Sequence, residues 1–134
     1  SQKAFDKIAQ VVGSIGAAVQ EMDPKTHDLV VAAISHMPLA VAAGLVNAVA
    51  GEEQKELMAK CAASGFRDTT RIASGDPILG VDMFKTNQKA ILKMIKAFKK
   101  SLSNLEELIK EGNGERLNEE LEKAKKFRDA IYLK

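Results

Sequence analysis

The residues with the clearest capacity for chemistry lie in one short segment, Gly65–Gly75, which holds two arginines, an aspartate and two adjacent threonines. A guanidinium offers a planar fork of N–H donors that binds a carboxylate or phosphate bidentately, and a nearby carboxylate can orient that fork. Arg67, Asp68, Thr70 and Arg71 therefore suit an anion-binding site. They would equally suit a loop held by a salt bridge and a threonine cap, and nothing in the residue types names the anion.

Other combinations of reactive residues do not form a recognisable site. Gly13-Ser14-Ile15-Gly16 lacks the third glycine and the preceding strand of a dinucleotide-binding turn, so it predicts close helix packing instead. His27 and His36 are nine residues apart, which places them on opposite sides of a straight helix. Cys61 is the only cysteine. We therefore expect no metal site, and no strand-turn-helix context supports a hydrolase nucleophile.

Composition points to one ordinary domain over residues 1–134. The net charge is +2, and acidic residues interleave with the lysines of the second half, which argues against nucleic acid as a partner. Cys61 cannot form an internal disulfide, which favours a reducing, cytoplasmic location. No apolar run reaches the roughly 20 residues that span a bilayer, so we expect no membrane association.

The hydrophobic spacing predicts helices almost throughout and no strand. A first helix carries an apolar stripe at intervals of three and four residues: Phe5, Ile8, Val12, Ile15 and Val19. Asp23-Pro24 begins a second helix, which is nearly all apolar over 29–49 and therefore requires burial by neighbours or by a partner subunit. Pro38 removes one hydrogen bond inside this helix, which predicts a kink or break.

The second half of the chain predicts a helical hairpin. Gly51 opens a third helix that ends near Ser64, with Gly65 as its cap, and the stretch from Gly65 to Gly75 shows no period. Asp76-Pro77 begins the next helix. From Phe84 onward a helix of roughly 45 Å carries a coiled-coil-like seam: Ile91, Ile95, Phe98, Leu102, Leu105 and Ile109. A turn at 112–114 returns the chain into an antiparallel last helix. The expected fold is an all-α bundle.

Three segments, in this order, resemble one enzyme family. His27-Asp28 with Ala32–Pro38 resembles the HD…SHxP helix of prephenate dehydrogenases. Gly65–Ala73 is similar to the GFxDxTRIA segment of that family, and Asp76-Pro77 followed by Asn87 fits its continuation. The resemblance extends from about Ala4 to the last helix. It identifies the chain with the C-terminal helical dimerisation domain of that family.

This resemblance implies a fold like the C-terminal domain of 6-phosphogluconate dehydrogenase and an intertwined homodimer. The parent enzyme would be an oxidoreductase of tyrosine biosynthesis that converts prephenate to 4-hydroxyphenylpyruvate with NAD or NADP. In the family, a Rossmann-type N-terminal domain binds the cofactor and supplies the catalytic histidine. That domain is absent from this chain, so we expect the chain alone to be inactive, with no catalytic residue and no metal of its own.

The resemblance also implies roles for individual residues. Arg71 would hold a carboxylate of prephenate, Ser35 and His36 would line the pocket, and Asp68 would orient the arginine or shape the loop. Asp28 would link to an arginine of the partner subunit. The expected substrate-binding residues are Arg71, His36, Ser35, Asp68 and Thr70, and the expected supporting residues are His27, Asp28 and Arg67.

Two positions depart from the family pattern and leave alternatives open. Leu39 stands where the family often has a second histidine, and Gly80 stands where it commonly has tryptophan. Leu39 removes a possible carboxylate partner, so arogenate is an alternative substrate. A stand-alone helical dimerisation or regulatory module is a second alternative. A helical mutase acting on chorismate is a third, although the long helix lacks the polar inward stripe that such an enzyme requires.

Overall fold

A computed structural model describes residues 1–133, which are helical apart from short connections and contain no strand. The all-α prediction is confirmed. The described residues form eight α-helices, one π turn and one 3-10 turn. In chain order these are α1 Gln2–Ser14, α2 Pro24–Val31, the π turn Ala32–His36, α3 Met37–Ala50, α4 Lys55–Cys61, α5 Ser64–Thr70, the 3-10 turn Arg71–Ser74, α6 Pro77–Thr86, α7 Gln88–Glu111 and α8 Gly114–Tyr132.

The first helix is shorter than its apolar stripe predicts. Helix α1 ends at Ser14 because Gly16 takes a left-handed conformation with φ of 79°, so Val19 lies beyond the helix. The prediction of close helix packing at the glycines is wrong, because a Cβ added at Gly13 or Gly16 would meet no atom within 4 Å. Gly16 therefore serves to end the helix.

Helix α2 begins where the Asp23-Pro24 pair predicts. The Asp23 carboxylate accepts hydrogen bonds from the backbone N–H groups of Lys25 and Thr26 at 3.0 and 3.1 Å. The hydroxyl of Thr26 also donates to it, and these hydrogen bonds lower the pKa of Asp23 below its usual value. Pro24 occupies the first turn, where its missing N–H costs no helical hydrogen bond.

The distortion predicted at Pro38 is present, but the helix does not break there. Helix α2, the π turn and α3 follow one another without a gap. Within the π turn, the N–H of Met37 donates to the carbonyl of Ala32, five residues earlier. A π turn is wider than an α-helical turn by one residue, and it gives the backbone room directly before the proline ring.

The resulting helix, Pro24–Ala50, has 27 residues and is long and apolar enough to cross a membrane by length and composition alone. The expectation that no apolar run has this length is therefore wrong. The core helix of a soluble protein passes the same test. Only 11% of its apolar window is fully buried within this chain, and most of the other residues in it are partly covered. The helix is therefore half-buried, and Ile34 is its exposed large apolar side chain.

Gly51 and Gly65, in the middle of the chain, do not lie at the helix ends that the sequence predicted for them. Gly51 ends α3, donating its N–H to the carbonyl of Asn47, and α4 begins only at Lys55. Gly65 lies in the first turn of α5 instead of capping α4. The segment predicted to be aperiodic is helical: it forms α5 and the 3-10 turn. Elements of seven and four residues are too short to display a hydrophobic period.

The long helix begins at Gln88, not at Phe84. Asn87, with φ of −119° and ψ of 31°, interrupts the helix between α6 and α7. Helix α7 has 24 residues, a length of about 36 Å, so the predicted 45 Å is too long. Helix α6 begins at the predicted place, because the Asp76 carboxylate accepts the N–H of Ile78 at 2.8 Å.

The predicted C-terminal hairpin is confirmed. Gly112 turns the chain with φ of 66°, and the side chain of Asn113 accepts the N–H of Arg116 at the start of α8, which packs against α7. The buried position in the last turns of α7 is Leu108, whereas Ile109 is 65% exposed. A straight helix of 3.6 residues per turn drifts away from a 3.5-residue seam, which explains this shift.

The core of the isolated chain is small for its length. Only four apolar residues among those described are buried: Ala32, Ala42, Ile91 and Leu108. The chain exposes 11007 Å² of surface, whereas a folded monomer of 14.5 kDa exposes about 6,900 Å². Many large apolar side chains are exposed, including those of α1, the end of α7 and α8. The fold therefore presents a large surface suited to another polypeptide.

Replacing Leu108 with alanine tests the register of α7. The substitution leaves a cavity between α7 and α8, so we expect the free energy of unfolding to fall by about 2–5 kcal/mol. The matched control, Ile109→Ala, removes an exposed side chain and should change it by no more than about 0.5 kcal/mol. Chemical denaturation of both variants measures the difference. Equal losses would contradict the packing of the hairpin.

Candidate functional site

The π turn places two of the predicted site residues in the middle of the long apolar helix. Ser35 is exposed and His36 is partly buried. The Nδ1 atom of His36 lies 3.3 Å from the amide nitrogen of Asn87. Asn87 is buried and also donates to the backbone carbonyl of Asp28 at 2.7 Å. One amide thus ties α2, the π turn and the start of α7 together.

Arg71 is the first residue of the 3-10 turn, which packs against α3. Its side chain is exposed, and within residues 1–133 it makes no hydrogen bond or ion pair. The N–H donors of its guanidinium are therefore available to a ligand. A carboxylate or phosphate is the group that this fork binds most strongly.

Asp68 does not hold Arg71. Its carboxylate accepts a hydrogen bond from Nε of Arg67 at 3.0 Å, and both side chains of this pair are largely exposed. The expectation that Asp68 orients Arg71 is not met, because Arg67 adjoins Asp68 on α5 whereas Arg71 begins the following turn. An exposed ion pair of this kind contributes little to stability.

Thr70 uses its side chain for a hydrogen bond within its own helix. It is buried, and its hydroxyl donates to the carbonyl of Phe66 at 2.6 Å. The single hydroxyl hydrogen is thereby committed to the last turn of α5, so it is not available to donate to a substrate carboxylate as the sequence suggested. The residue ends one helix where Arg71 begins the next turn, and so sets the position of Arg71.

His27 and Asp28 form a contact of their own at the exposed start of the long helix. The Nδ1 atom of His27 lies 3.3 Å from a carboxylate oxygen of Asp28. Both side chains are more than half exposed. Asp28 therefore joins the site through its backbone carbonyl, which Asn87 reaches, and its carboxylate stays at the surface.

A cavity of about 260 Å³ lies between the π turn, the 3-10 turn and α6. Its lining includes Ser35, Leu39, Ile72, Asp76 and Gly80. The two departures from the family pattern meet here, since a Cβ added at Gly80 would lie 3.4 Å from Cδ2 of Leu39. A side chain at position 80 would therefore contact Leu39. The cavity is smaller than most small-molecule sites, which range over about 300–1,000 Å³.

A larger groove of about 490 Å³ lies between α3, α4 and α5. Its lining is almost wholly apolar and includes Val46, Val49, Met58, Ala62 and Phe66. It contains none of the predicted ligand-binding groups and suits contact with another apolar surface. In the described part of the chain, no three His, Cys, Asp or Glu side chains come together as a metal site.

The fold and these groups define an all-helical domain in which the π turn and the 3-10 turn that begins at Arg71 border one cavity, through Ser35 and Ile72. The family model described as "Prephenate dehydrogenase, dimerization domain" matches residues 23–123. The chain therefore belongs to this family of prephenate dehydrogenase dimerization domains. The match includes all the predicted site residues, and it confirms the resemblance seen in the sequence.

Curated relatives agree with this membership. The chain is 31% identical over 134 residues to the prephenate dehydrogenase of Bacillus subtilis (strain 168), covering 99% of the chain and 36% of that protein. It is 32% identical over 131 residues to the cyclohexadienyl dehydrogenase of Zymomonas mobilis, covering 96% of the chain and 45% of that protein. The chain thus spans between a third and a half of the length of these relatives.

Two solved structures share the fold. The prephenate dehydrogenase of A. aeolicus in complex with hydroxyphenyl propionate and NAD+ matches with a TM-score of 0.90 and 37% identity, covering 98% of this chain and 46% of that one. The Synechocystis arogenate dehydrogenase matches with a TM-score of 0.89 and 34% identity, covering 98% of this chain and 48% of that one. Relatives with two different named substrates therefore share this fold almost equally closely.

Replacing Thr70 with valine separates its structural role from a ligand-binding one. Valine keeps the shape but loses the hydrogen bond to Phe66, so we expect the free energy of unfolding to fall by about 1 kcal/mol. Thr69→Val, at the adjacent exposed threonine, should cause little change. Thermal or chemical denaturation measures this. Undiminished stability together with weaker binding of a carboxylate ligand would restore the role that the sequence suggested.

Proposed function

We propose that this chain is the C-terminal part of an NAD- or NADP-dependent dehydrogenase of prephenate, in which it forms the dimer and binds a substrate carboxylate. The observation that carries the proposal is the family match over 23–123 together with the available guanidinium of Arg71. The π turn and the 3-10 turn both border the same cavity. Two motifs far apart in the sequence therefore converge on one place.

The substrate class follows from the chemistry of this place. Prephenate carries two carboxylates, and Arg71 would bind one of them bidentately. Ser35 offers an exposed hydroxyl on the cavity wall, and His36 offers a ring nitrogen. Arogenate carries the same two carboxylates and is the alternative substrate, favoured by the apolar Leu39 and by the close match to an arogenate dehydrogenase.

In the proposed reaction, a hydride passes from the ring carbon bearing the hydroxyl to NAD+ or NADP+, and the ring carboxylate leaves as CO₂. The products are 4-hydroxyphenylpyruvate, CO₂ and the reduced cofactor. The cofactor accepts the hydride and would be bound mainly by a separate N-terminal domain, as in the family. The residues of this chain would bind and orient the dicarboxylate, so the chain alone would be inactive. No metal takes part in this scheme.

We propose that a second copy of the chain covers most of its exposed apolar surface. The excess of about 4,000 Å² over a compact monomer is large enough for an obligate interface, which buries about 2,000–5,000 Å². The groove beside Phe66 and the exposed apolar side chains of α1, the end of α7 and α8 are the surfaces that this copy would cover. This homodimer would operate in the cytoplasm, with neither membrane nor nucleic acid as a partner.

Variants of Arg71 in the full-length parent enzyme test the carboxylate-binding role. Loss of hydrogen bonds to a charged group costs about 1.5–3 kcal/mol, so Arg71→Ala should raise KM for prephenate or arogenate by roughly 10- to 150-fold. Arg71→Lys should restore only part of the loss, because a lysine ammonium cannot form the planar fork.

Arg67→Ala is the matched control for this experiment. Arg67 lies on the same segment but pairs with Asp68 at the surface, so its removal should change KM by less than about twofold. Unchanged KM and kcat for Arg71→Ala would contradict the proposed role of Arg71. Full turnover by the 134-residue chain alone would contradict the proposed division of labour between the two domains.

A further inference from the structure

The side chain of Asn87 is buried and makes its hydrogen bonds to residues far away in the sequence. It lies at the junction of α6 and α7 and is one of two buried polar residues among those described. An asparagine before a helix commonly caps it, but the side chain of Asn87 makes no cap hydrogen bond to α7. Instead its amide reaches 59 residues back along the chain to the carbonyl of Asp28.

This amide can lie in only one orientation. The Asp28 carbonyl, 2.7 Å away, can only accept a hydrogen bond, so the nitrogen of the amide must face it. The same nitrogen lies 3.3 Å from Nδ1 of His36, and its second hydrogen is available there. A donor facing Nδ1 requires a lone pair on Nδ1. The proton of the neutral imidazole must therefore reside on Nε2.

We propose that Asn87 is a positioning residue that holds His36 in its Nε2–H form. The nitrogen remote from Asn87 is then an N–H donor, which is the form that a carboxylate ligand requires. This consequence for the ligand rests on the proposed function, whereas the tautomer itself rests only on the two contacts of Asn87. In a dehydrogenase of a dicarboxylate, Asn87 would act on the substrate through His36 without touching it.

A purely structural role for Asn87 predicts something different. The Asp28 carbonyl already accepts the N–H of Ala32 within the helix, so the bond from Asn87 is additional and the carbonyl would not be left without a partner. If Asn87 only fastened α7 to the long helix, its replacement would alter stability and leave the tautomer of His36 unchanged. The tautomer is therefore the measurement that separates the two roles.

Nitrogen NMR of the chain labelled with 15N-histidine measures this directly, because the chain has only two histidines. Long-range 1H–15N correlation at neutral pH should show His36 wholly as the Nε2–H form. In Asn87→Asp, a carboxylate oxygen replaces the N–H donor beside Nδ1 and accepts a proton from it, so the neutral ring of His36 should change to the Nδ1–H form, in which Nε2 no longer donates. Gln88→Ala, at the adjacent exposed amide, should leave His36 as in the wild type.

His27 provides the internal reference, since it does not contact Asn87 and should be the same in every variant. Two results would overturn the proposal: an Nδ1–H form of His36 in the wild-type chain, or a folded Asn87→Asp variant in which His36 keeps the Nε2–H form. The first result needs no variant, so the test stands even if a variant does not fold.

In the full-length parent enzyme, Asn87→Asp should raise KM for prephenate at least about tenfold, as expected for the loss of one hydrogen bond to a charged group. The value of kcat should change by less than about twofold. A fall in kcat with unchanged KM would overturn the role of Asn87 in binding. Failure of the proposed function would be seen separately, as an unchanged KM in the Arg71→Ala enzyme. That result would not affect the tautomer of His36, which is measured by NMR.

Discussion

The missing N–H of Pro38 is the constraint on which the site depends. A proline inside a long apolar helix removes one hydrogen bond and brings its ring against the preceding turn. The chain accommodates it with the π turn Ala32–His36 and continues as a helix to Ala50. The π turn presents Ser35 and His36 next to α6 and α7, where Asn87 can reach the ring of His36. A straight α-helix would present these side chains in a different phase.

The apolar residues of the same helix also have to be shielded from water. Only Ala32 and Ala42 are fully buried along it, and most of its other apolar residues are partly covered by the rest of the chain. Small residues at these positions let neighbouring helices approach closely. Since the family is described as a dimerization domain, the exposed faces and the site have a common explanation. The family name and the exposed apolar side chains are thus consistent with the proposal that a second polypeptide covers this domain.

The sequence predicted the helices with strong local signals and missed those without them. The pairs Asp23-Pro24 and Asp76-Pro77 begin helices where expected, because each carboxylate accepts nearby N–H groups. The short helix α5 was missed because it is too short to show a period. Arg71 is exposed and His36 contacts Asn87, and their predicted roles in binding stay predictions, whereas Thr70 and Asp68 bond within their own helix. The contacts of Asn87 join residues 51 and 59 positions apart, which no local pattern displays.

We propose above that the exposed apolar surface of this chain is the interface of a homodimer. Sedimentation equilibrium at micromolar concentration tests it most directly, combined with circular dichroism to show that the chain is helical. We expect a helical species of twice the 14.5 kDa mass of one chain, with no monomer detectable at that concentration. A stable, fully helical monomer of 14.5 kDa would contradict it, because the exposed apolar surface would then need no second copy.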